Sequence, residues 1–284
     1  MNSQLKIMDK IKILVACHKP EKVYEDNVYI PIHVGRSLSR YKNEMNGMIG
    51  DDTGENISVK NQYYCELTAH YWAWKNMSCE YIGLCHYRRY FETKFSNENI
   101  DSMMEGYDII CSYPIYSKIT LGDRLSKYSS LEDFQIFMFT LHKYYPNMYN
   151  SALATLKGCK HIPYNMFIMR KENYQNFISW QFDLLEKFEK QIRFSNYSRC
   201  KRILGYYAEA LVPIYIDYYG LKAKYDRIIP MIGQNATKRI FRDILHKYQC
   251  LLYNKLFLQH LDLNISAVLV GLKNDGIDAD KVPT

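Results

Sequence analysis

The sequence predicts an α/β fold, a mixed central sheet flanked by helices, with a helical extension at its C-terminal end. Three observations lead there. Short apolar runs of strand length, IKILVAC at 11–17 and YIGLC at 81–85, are bounded by polar residues and proline. Longer segments with helical apolar spacing alternate with them, at 63–76, 173–191 and 203–218. Hydrophobic residues make up 48% of the 284 and charged ones 24%, an ordinary globular balance. The length suits one large domain, read here as residues 1–231, with an appendage at 232–284.

Composition narrows the function classes. A formal charge of +7 implies an acidic partner: nucleic acid, an anionic bilayer or a phosphorylated substrate. No nucleic-acid-binding module is recognisable and the basic residues are scattered, so nucleic acid is not the expected partner; a nucleic-acid-binding protein, a non-catalytic scaffold and a transferase using another UDP-hexose are the alternative readings. The 27 tyrosines suit polar, ring-shaped ligands, although core packing uses the same side chain. The eight cysteines form no C-x-x-C pair, and Cys17, Cys85 and Cys111 sit in apolar runs. That pattern reads as buried, reduced thiols in a cytosolic protein. Met1 to Lys10 is polar, and no apolar run approaches the ~20 residues of a membrane span. The expected location is cytoplasmic, with room for a peripheral position at the inner face of the cell membrane.

The first strand, 11–17, ends in His18-Lys19-Pro20, a polar pair where proline stops regular structure. An extended piece follows at 29–36. Residues 51–61 lack periodicity but are dense in Asp, Asn, Gly and Ser, as in a structured loop that can carry binding residues. The helix at 63–76 takes Asn61 as its N-cap and Leu67, Tyr71, Trp74 and Met77 as its core face. Glu66 and His70 lie one turn apart and can hydrogen-bond to each other.

The strand at 81–85 runs into His86-Tyr87-Arg88-Arg89-Tyr90. Two arginines at a strand end suit a diphosphate, which guanidinium groups bind in a bidentate fork; a surface turn with salt bridges is the alternative. A strand at 107–113 precedes polar helices at 131–145 and 150–157, which could form an acceptor-side lobe. A strand at 163–170 leads into the 173–191 helix, with Phe177, Leu184, Leu185 and Phe188 inward. In the 203–218 helix, Glu209 stands among apolar neighbours. Desolvation there would raise its pKa toward a useful range for a base, unless a salt bridge makes it structural. A last strand spans 222–230. Residues 237–257 form a basic amphipathic helix that can lie on an anionic membrane, or pack on the domain or on a second subunit in a homo-oligomer.

The run DDTGENISVKNQYYCELTAHYWAWKN followed by YIGLCHYRRYF resembles a family of bacterial glycosyltransferases from capsule, exopolysaccharide and O-antigen gene clusters. That family was long catalogued only as a domain of unknown function. The resemblance covers about residues 11–230, including PIHVG at 31–35, NMFIM at 165–169 and Tyr207-Ala208-Glu209. Asp52, Glu55 and Ala208 stand where the family commonly has asparagine, aspartate and serine. The resemblance implies a GT-A-like nucleotide-sugar fold and an inverting galactofuranosyltransferase. Its donor would be UDP-galactofuranose and its acceptor a glycan, lipid-linked at the membrane.

For the site, the resemblance implies donor contacts at His18, Lys19, Asp52, Asn56, Lys60, Asn61, His86, Tyr87, Arg88 and Arg89. Tyr164 and Asn165 are expected at the acceptor. Glu209 is the expected base, with Glu66 and Asp51 next. GT-A folds usually hold a divalent metal through a D-x-D motif at a strand end, but the corresponding strand here ends in HYRRY and offers no carboxylate. Arg88 and Arg89, with His86, are therefore expected to replace the metal charge and no cofactor is required. Asp51 and Asp52 are the carboxylates that could hold manganese or magnesium.

Overall fold

A computed structural model describes residues 10–230, 240–257 and 265–277. Strands β1 (Ile11–Cys17), β2 (Tyr29–His33) and β3 (Ile49–Gly50) come first, then helices α1 (Asn61–Tyr64) and α2 (Leu67–Asn76). Next are β4 (Tyr81–His86), β5 (Arg89–Phe91), α3 (Ile100–Met104), β6 (Ile109–Ser112) and β7 (Ile115–Tyr116). A helical lobe follows, α4 (Leu121–Tyr128), α5 (Leu131–Tyr144) and α6 (Pro146–Lys157), and it ends in β8 (Lys160–His161). After it come β9 (Phe167–Arg170), α7 (Lys171–Glu189), α8 (Ser198–Lys201) and α9 (Ile203–Tyr219). Strands β10 (Ala223–Asp226) and β11 (Ile228–Pro230) and helices α10 (Ile240–Phe257) and α11 (Ile265–Asn274) complete the described elements.

The main sheet runs β10-β6-β9-β4-β1-β2-β3. Strand β1 is parallel to β2 and β4, whereas β9 lies antiparallel between β4 and β6, which makes the sheet mixed. The apolar runs at 11–17 and 81–85 are unbroken because both faces of these strands are covered. Leu14, Leu84 and Phe167 point into the helical side of the core, with α2, α5, α7 and α9. Ile13, Val15, Cys85 and Ile168 point the other way, toward Tyr29, Tyr90 and Phe91. This is the expected α/β architecture. All eight cysteines are free thiols, and six of them are buried.

Three predicted elements divide where the backbone turns. The helix at 63–76 is two pieces, because Cys65 takes φ 53°, ψ −133° between them. Asn61 opens the first piece instead of capping it, and its side-chain amide donates to the Cys65 carbonyl across the break. The buried face of α2 is accordingly centred on Ala69, His70 and Ala73, with Tyr71 and Trp74 at its edge. The strand at 163–170 begins only at Phe167, after a left-handed turn at Tyr164 and Asn165. The segment 222–230 forms two strands, β10 against β6 and β11 against β5.

The C-terminal helix packs on the domain along one side only. Cys250 is buried, His246 reaches the Tyr116 carbonyl at 3.2 Å, and Asn254 donates to the Lys157 carbonyl. Ile244, Leu245, Tyr248, Leu251 and Leu252 are exposed, so the domain does not cover them. At 100° per residue they share one arc of α10, opposite the packed one. Lys238 and Arg239 lie outside the described residues. Among the described residues, no helix is long and apolar enough to cross a membrane.

Gly83 sits where β9 crosses close to β4. A Cβ there would meet Ile168 Cγ1 at 2.7 Å and the Phe167 carbonyl oxygen at 3.2 Å. Gly83→Ala should therefore lower unfolding free energy by about 1–3 kcal/mol, the usual range for overpacking, as read by denaturant titration.

Candidate active site

Strands β1 and β4 end side by side, with Ala16 paired to His86, at the mouth of a cleft of about 660 Å³. That volume lies within the ~300–1,000 Å³ of small-ligand pockets. The carboxyl ends of parallel strands are where open α/β sheets place their ligands. Ala16 near the end of β1, His18 just after it, Val34 after β2 and Asn61 and Gln62 of α1 line one half. The β7–β8 ribbon, α4 and α9 wall the other.

The run HYRRY is a tight hairpin rather than a strand end. His86 of β4 pairs with Arg89 of β5, leaving Tyr87 and Arg88 at the tip. All four side chains line the cleft. Arg88 reaches Glu21 at 3.1 Å, and Glu21 also pairs with Lys19, so that both cations hold its carboxyl below the usual range. Among the described residues, the buried Tyr87 hydroxyl and Arg88 Nε have no hydrogen-bond partner. Such orphaned donors at a cleft wall are suited to a ligand's oxygens. His18 packs edge-on against Tyr87, with ring centroids 5.3 Å apart. Burial, then Lys19, Arg202, Arg88 and His86, depress its pKa, so it is neutral at pH 7.

The opposite wall is built around Asn165. Tyr164 and Asn165 both adopt positive φ, 75° and 50°, a conformation that costs a non-glycine residue about 1–2 kcal/mol. Five contacts hold the turn. His86 Nε2 donates to the Tyr164 carbonyl at 2.8 Å, and Arg89 lies 4.3 Å over the Tyr164 ring. Asn165 Nδ2 donates to Glu66 at 2.7 Å and to the Gly205 carbonyl at 3.2 Å. His70 Nε2 donates to the Asn165 carbonyl at 2.9 Å, and its Nδ1 accepts from Tyr174 at 2.8 Å. Glu66 and His70 thus grip the same residue instead of each other. Asn165 is buried behind the cleft and Tyr164 lines it.

Glu209 lines the cleft from α9 and accepts from His161 Nε2 at 2.8 Å; His161 Nδ1 is buried without a partner among the described residues. Glu66 faces the same space. Arg202 donates to Cys65 Sγ at 3.1 Å. Burial pushes that thiol up to about 12, so it is protonated and not a nucleophile. Sequence reasoning passed over His161, Arg124, Tyr128, Arg202 and Tyr206, all of which line the cleft. One signal was available. Thr120 and Asp123 form a capping box that starts α4 and fixes where Arg124 and Tyr128 project.

Several expected site residues lie elsewhere. Asp51 is fully buried and accepts from Gly35 N at 2.7 Å, Arg36 N at 3.1 Å and Ser58 Oγ at 2.5 Å. With these bonds made it serves the loop and is not placed as a base or a metal ligand. Asp52 pairs with Arg36 at 3.3 Å, so the two carboxylates do not form a metal-binding pair facing the cleft. Asn56 is occupied by Gly54 and Ser58 within the same loop. Lys60 reaches away to Glu189 at 2.7 Å, and Lys19 turns to Glu21.

Residues 12–220 match the family described as Domain of unknown function (DUF4422). The chain belongs to that family. The matched span holds every cleft-lining residue from Ala16 to Glu209 and stops before α10. Among solved structures, the apo structure of WbbM, a bifunctional glycosyltransferase, is similar, with 31% identity and a TM-score of 0.72. The alignment covers 81% of this DUF4422 chain and 48% of that one, so the present chain spans about half of its length. None of the curated proteins matches.

Two outcomes are expected. Asp51→Ala leaves three buried donors unpaired and should cost about 3 kcal/mol or more of unfolding free energy in denaturant titration. His70, fully buried, has its pKa lowered from 6.5 to about 4 by burial. Its neutral form is favoured by folding, so the stability it contributes is complete above about pH 6.5 and declines as pH falls toward 4. The loss amounts to about 3 kcal/mol. A stability–pH profile should show that acid limb, and His70→Gln should flatten it.

Proposed function

We propose that this protein is a glycosyltransferase that moves a sugar from a UDP-sugar to a hydroxyl of a bacterial surface glycan. Galactofuranose is the donor sugar suggested by the family resemblance, and a lipid-linked saccharide is the acceptor. The observation that carries the reading is the arrangement of the cleft. A basic hairpin with orphaned donors stands at the carboxyl ends of the parallel strands, and two carboxylates face the same space. The likeness to a bifunctional glycosyltransferase supports the same class of chemistry.

In this mechanism the nucleoside lies over the ends of β1 and β2, near His18 and Asn61, and the diphosphate sits on the hairpin. Arg88 Nε and the Tyr87 hydroxyl then find acceptors. Glu209 takes the proton of the acceptor hydroxyl, whose oxygen forms the new bond to the anomeric carbon from the face opposite UDP. The old carbon–oxygen bond breaks, and its electron pair leaves with the diphosphate. Arg88, Arg89 and His86 stabilise that charge as it develops, where electrostatic effects contribute most. The His161 N–H bond orients the Glu209 carboxylate. Metal independence is part of the proposal, because the hairpin brings cationic rather than carboxylate groups to the leaving group.

UDP should raise the melting temperature, and the shift should survive EDTA. Arg88→Ala with Arg89→Ala should abolish it. Glu209→Gln should keep the UDP shift but reduce sugar transfer at least ~100-fold, the scale of general-base catalysis. A UDP shift that needs manganese would overturn the metal-independent mechanism, and persistent turnover in Glu209→Gln would remove that residue from the base role.

A further inference from the structure

The acceptor half of the cleft carries a cation that neither the protein nor the donor half uses. Arg124 stands one helical turn before Tyr128 on α4, and Arg202 stands one turn before Tyr206 on α9, so each arginine shares a helix face with its tyrosine. The two tyrosine rings stack, with centroids 4.5 Å apart and planes 20° from parallel. Both rings line the cleft, as do both arginines.

The four cleft arginines differ in their engagement. Arg88 reaches Glu21, Arg89 lies over Tyr164, and Arg202 donates to Cys65 and lies 5.7 Å from the Tyr206 ring. Among the described residues, the Arg124 side chain makes no hydrogen bond, ion pair or ring contact. It is half-buried, and it belongs to the wall formed by α4, β8 and α9 rather than to the hairpin. The carboxylates facing this space already have donors: His161 for Glu209 and Asn165 for Glu66. A partly desolvated guanidinium without a counter-charge favours any anion that can reach it in a bidentate geometry.

Given the reading of the cleft as a nucleotide-sugar site, we infer that Arg124 and the stacked Tyr128–Tyr206 pair form a second anionic subsite, which selects an acceptor saccharide carrying a negative charge. The aromatic pair offers apolar surface to the sugar's C–H face, and the guanidinium takes its phosphate or carboxylate. A neutral acceptor would bury Arg124 uncompensated, so charge becomes a criterion of acceptor choice. The charge has two chemical sources, a glycosyl phosphate or an acidic sugar.

The test uses the whole protein saturated with UDP, which occupies the donor half. Calorimetric titration compares glucose 1-phosphate, methyl glucuronide and the neutral methyl glucoside. At least one anionic sugar should bind about tenfold more tightly than the neutral one, the scale of one charge-assisted hydrogen bond. Preference for the phosphate ester identifies a glycosyl phosphate as the source, and preference for the uronide identifies an acidic sugar. Arg124→Ala should erase the preference while shifting the UDP Kd less than about twofold. Arg124→Lys, a point charge without the fork, should retain part of it. The inference is overturned if UDP binds but the three sugars bind alike, if none binds, or if Arg124→Ala keeps the preference. Failure of UDP itself to bind the wild-type protein would overturn the nucleotide-sugar reading and this inference with it.

Discussion

The hydrogen bonds converging on Asn165 are the constraint on which the site depends. A left-handed pair, Tyr164–Asn165, is unfavourable by itself, yet it is fixed by helix α2 through Glu66 and His70, by α9 through the Gly205 carbonyl, and by the hairpin through His86. Each bond also orients its partner. Glu66 is turned to the cleft by the amide it accepts from, and His86 is held by the carbonyl it donates to. Because one turn ties together three elements that wall the cleft, displacing it would move the carboxylate, the imidazole and the Tyr164 ring together. Strain held by surrounding structure in this way is characteristic of functional sites.

The electrostatics follow from that frame. Cations gather on the hairpin and along α4 and α9, while the carboxylates that enter the cleft each arrive with a donor already bound. Carboxylates without a role there are consumed elsewhere, Asp51 by the backbone of its loop and Glu189 by Lys60. The cleft therefore presents guanidinium and imidazole groups to a ligand that supplies negative charge, and its surfaces are most complete when such a ligand is present.

Much of this was legible in the sequence, and the gaps have physical causes. Strands β1 and β4 announced themselves because a strand buried on both faces is apolar at every position. His18, Asn61, Glu66, the hairpin residues, Tyr164 and Glu209, all singled out from the sequence, line one cleft. Asp51 misled, because a carboxylate that caps backbone N–H groups has the same local sequence as one that serves a ligand. The break at Cys65 left no trace, since cysteine is not a residue that normally marks a positive φ. His161 and Arg202 were missed for a different reason. Their meaning arises from partners far along the chain, Glu209 and Cys65, and no local periodicity reports such pairings.

The antiparallel insertion of β9 between β4 and β6 also sets when the protein becomes competent. The cleft draws residues from Ala16 to Glu209, and the Tyr164–Asn165 turn in its wall leads directly into β9, which pairs with two strands laid down well before it. Contacts of such long sequence separation close large loops, so they form late and slowly. A nascent chain that has finished β1 to β6 holds the first half of the cleft lining but not the wall made by α4, β8 and α9, and leaves the facing edges of β4 and β6 unpaired until β9 arrives. The cleft lining is thus complete only once segments far apart in the chain have met, so its shape depends on the whole sheet rather than on any one segment.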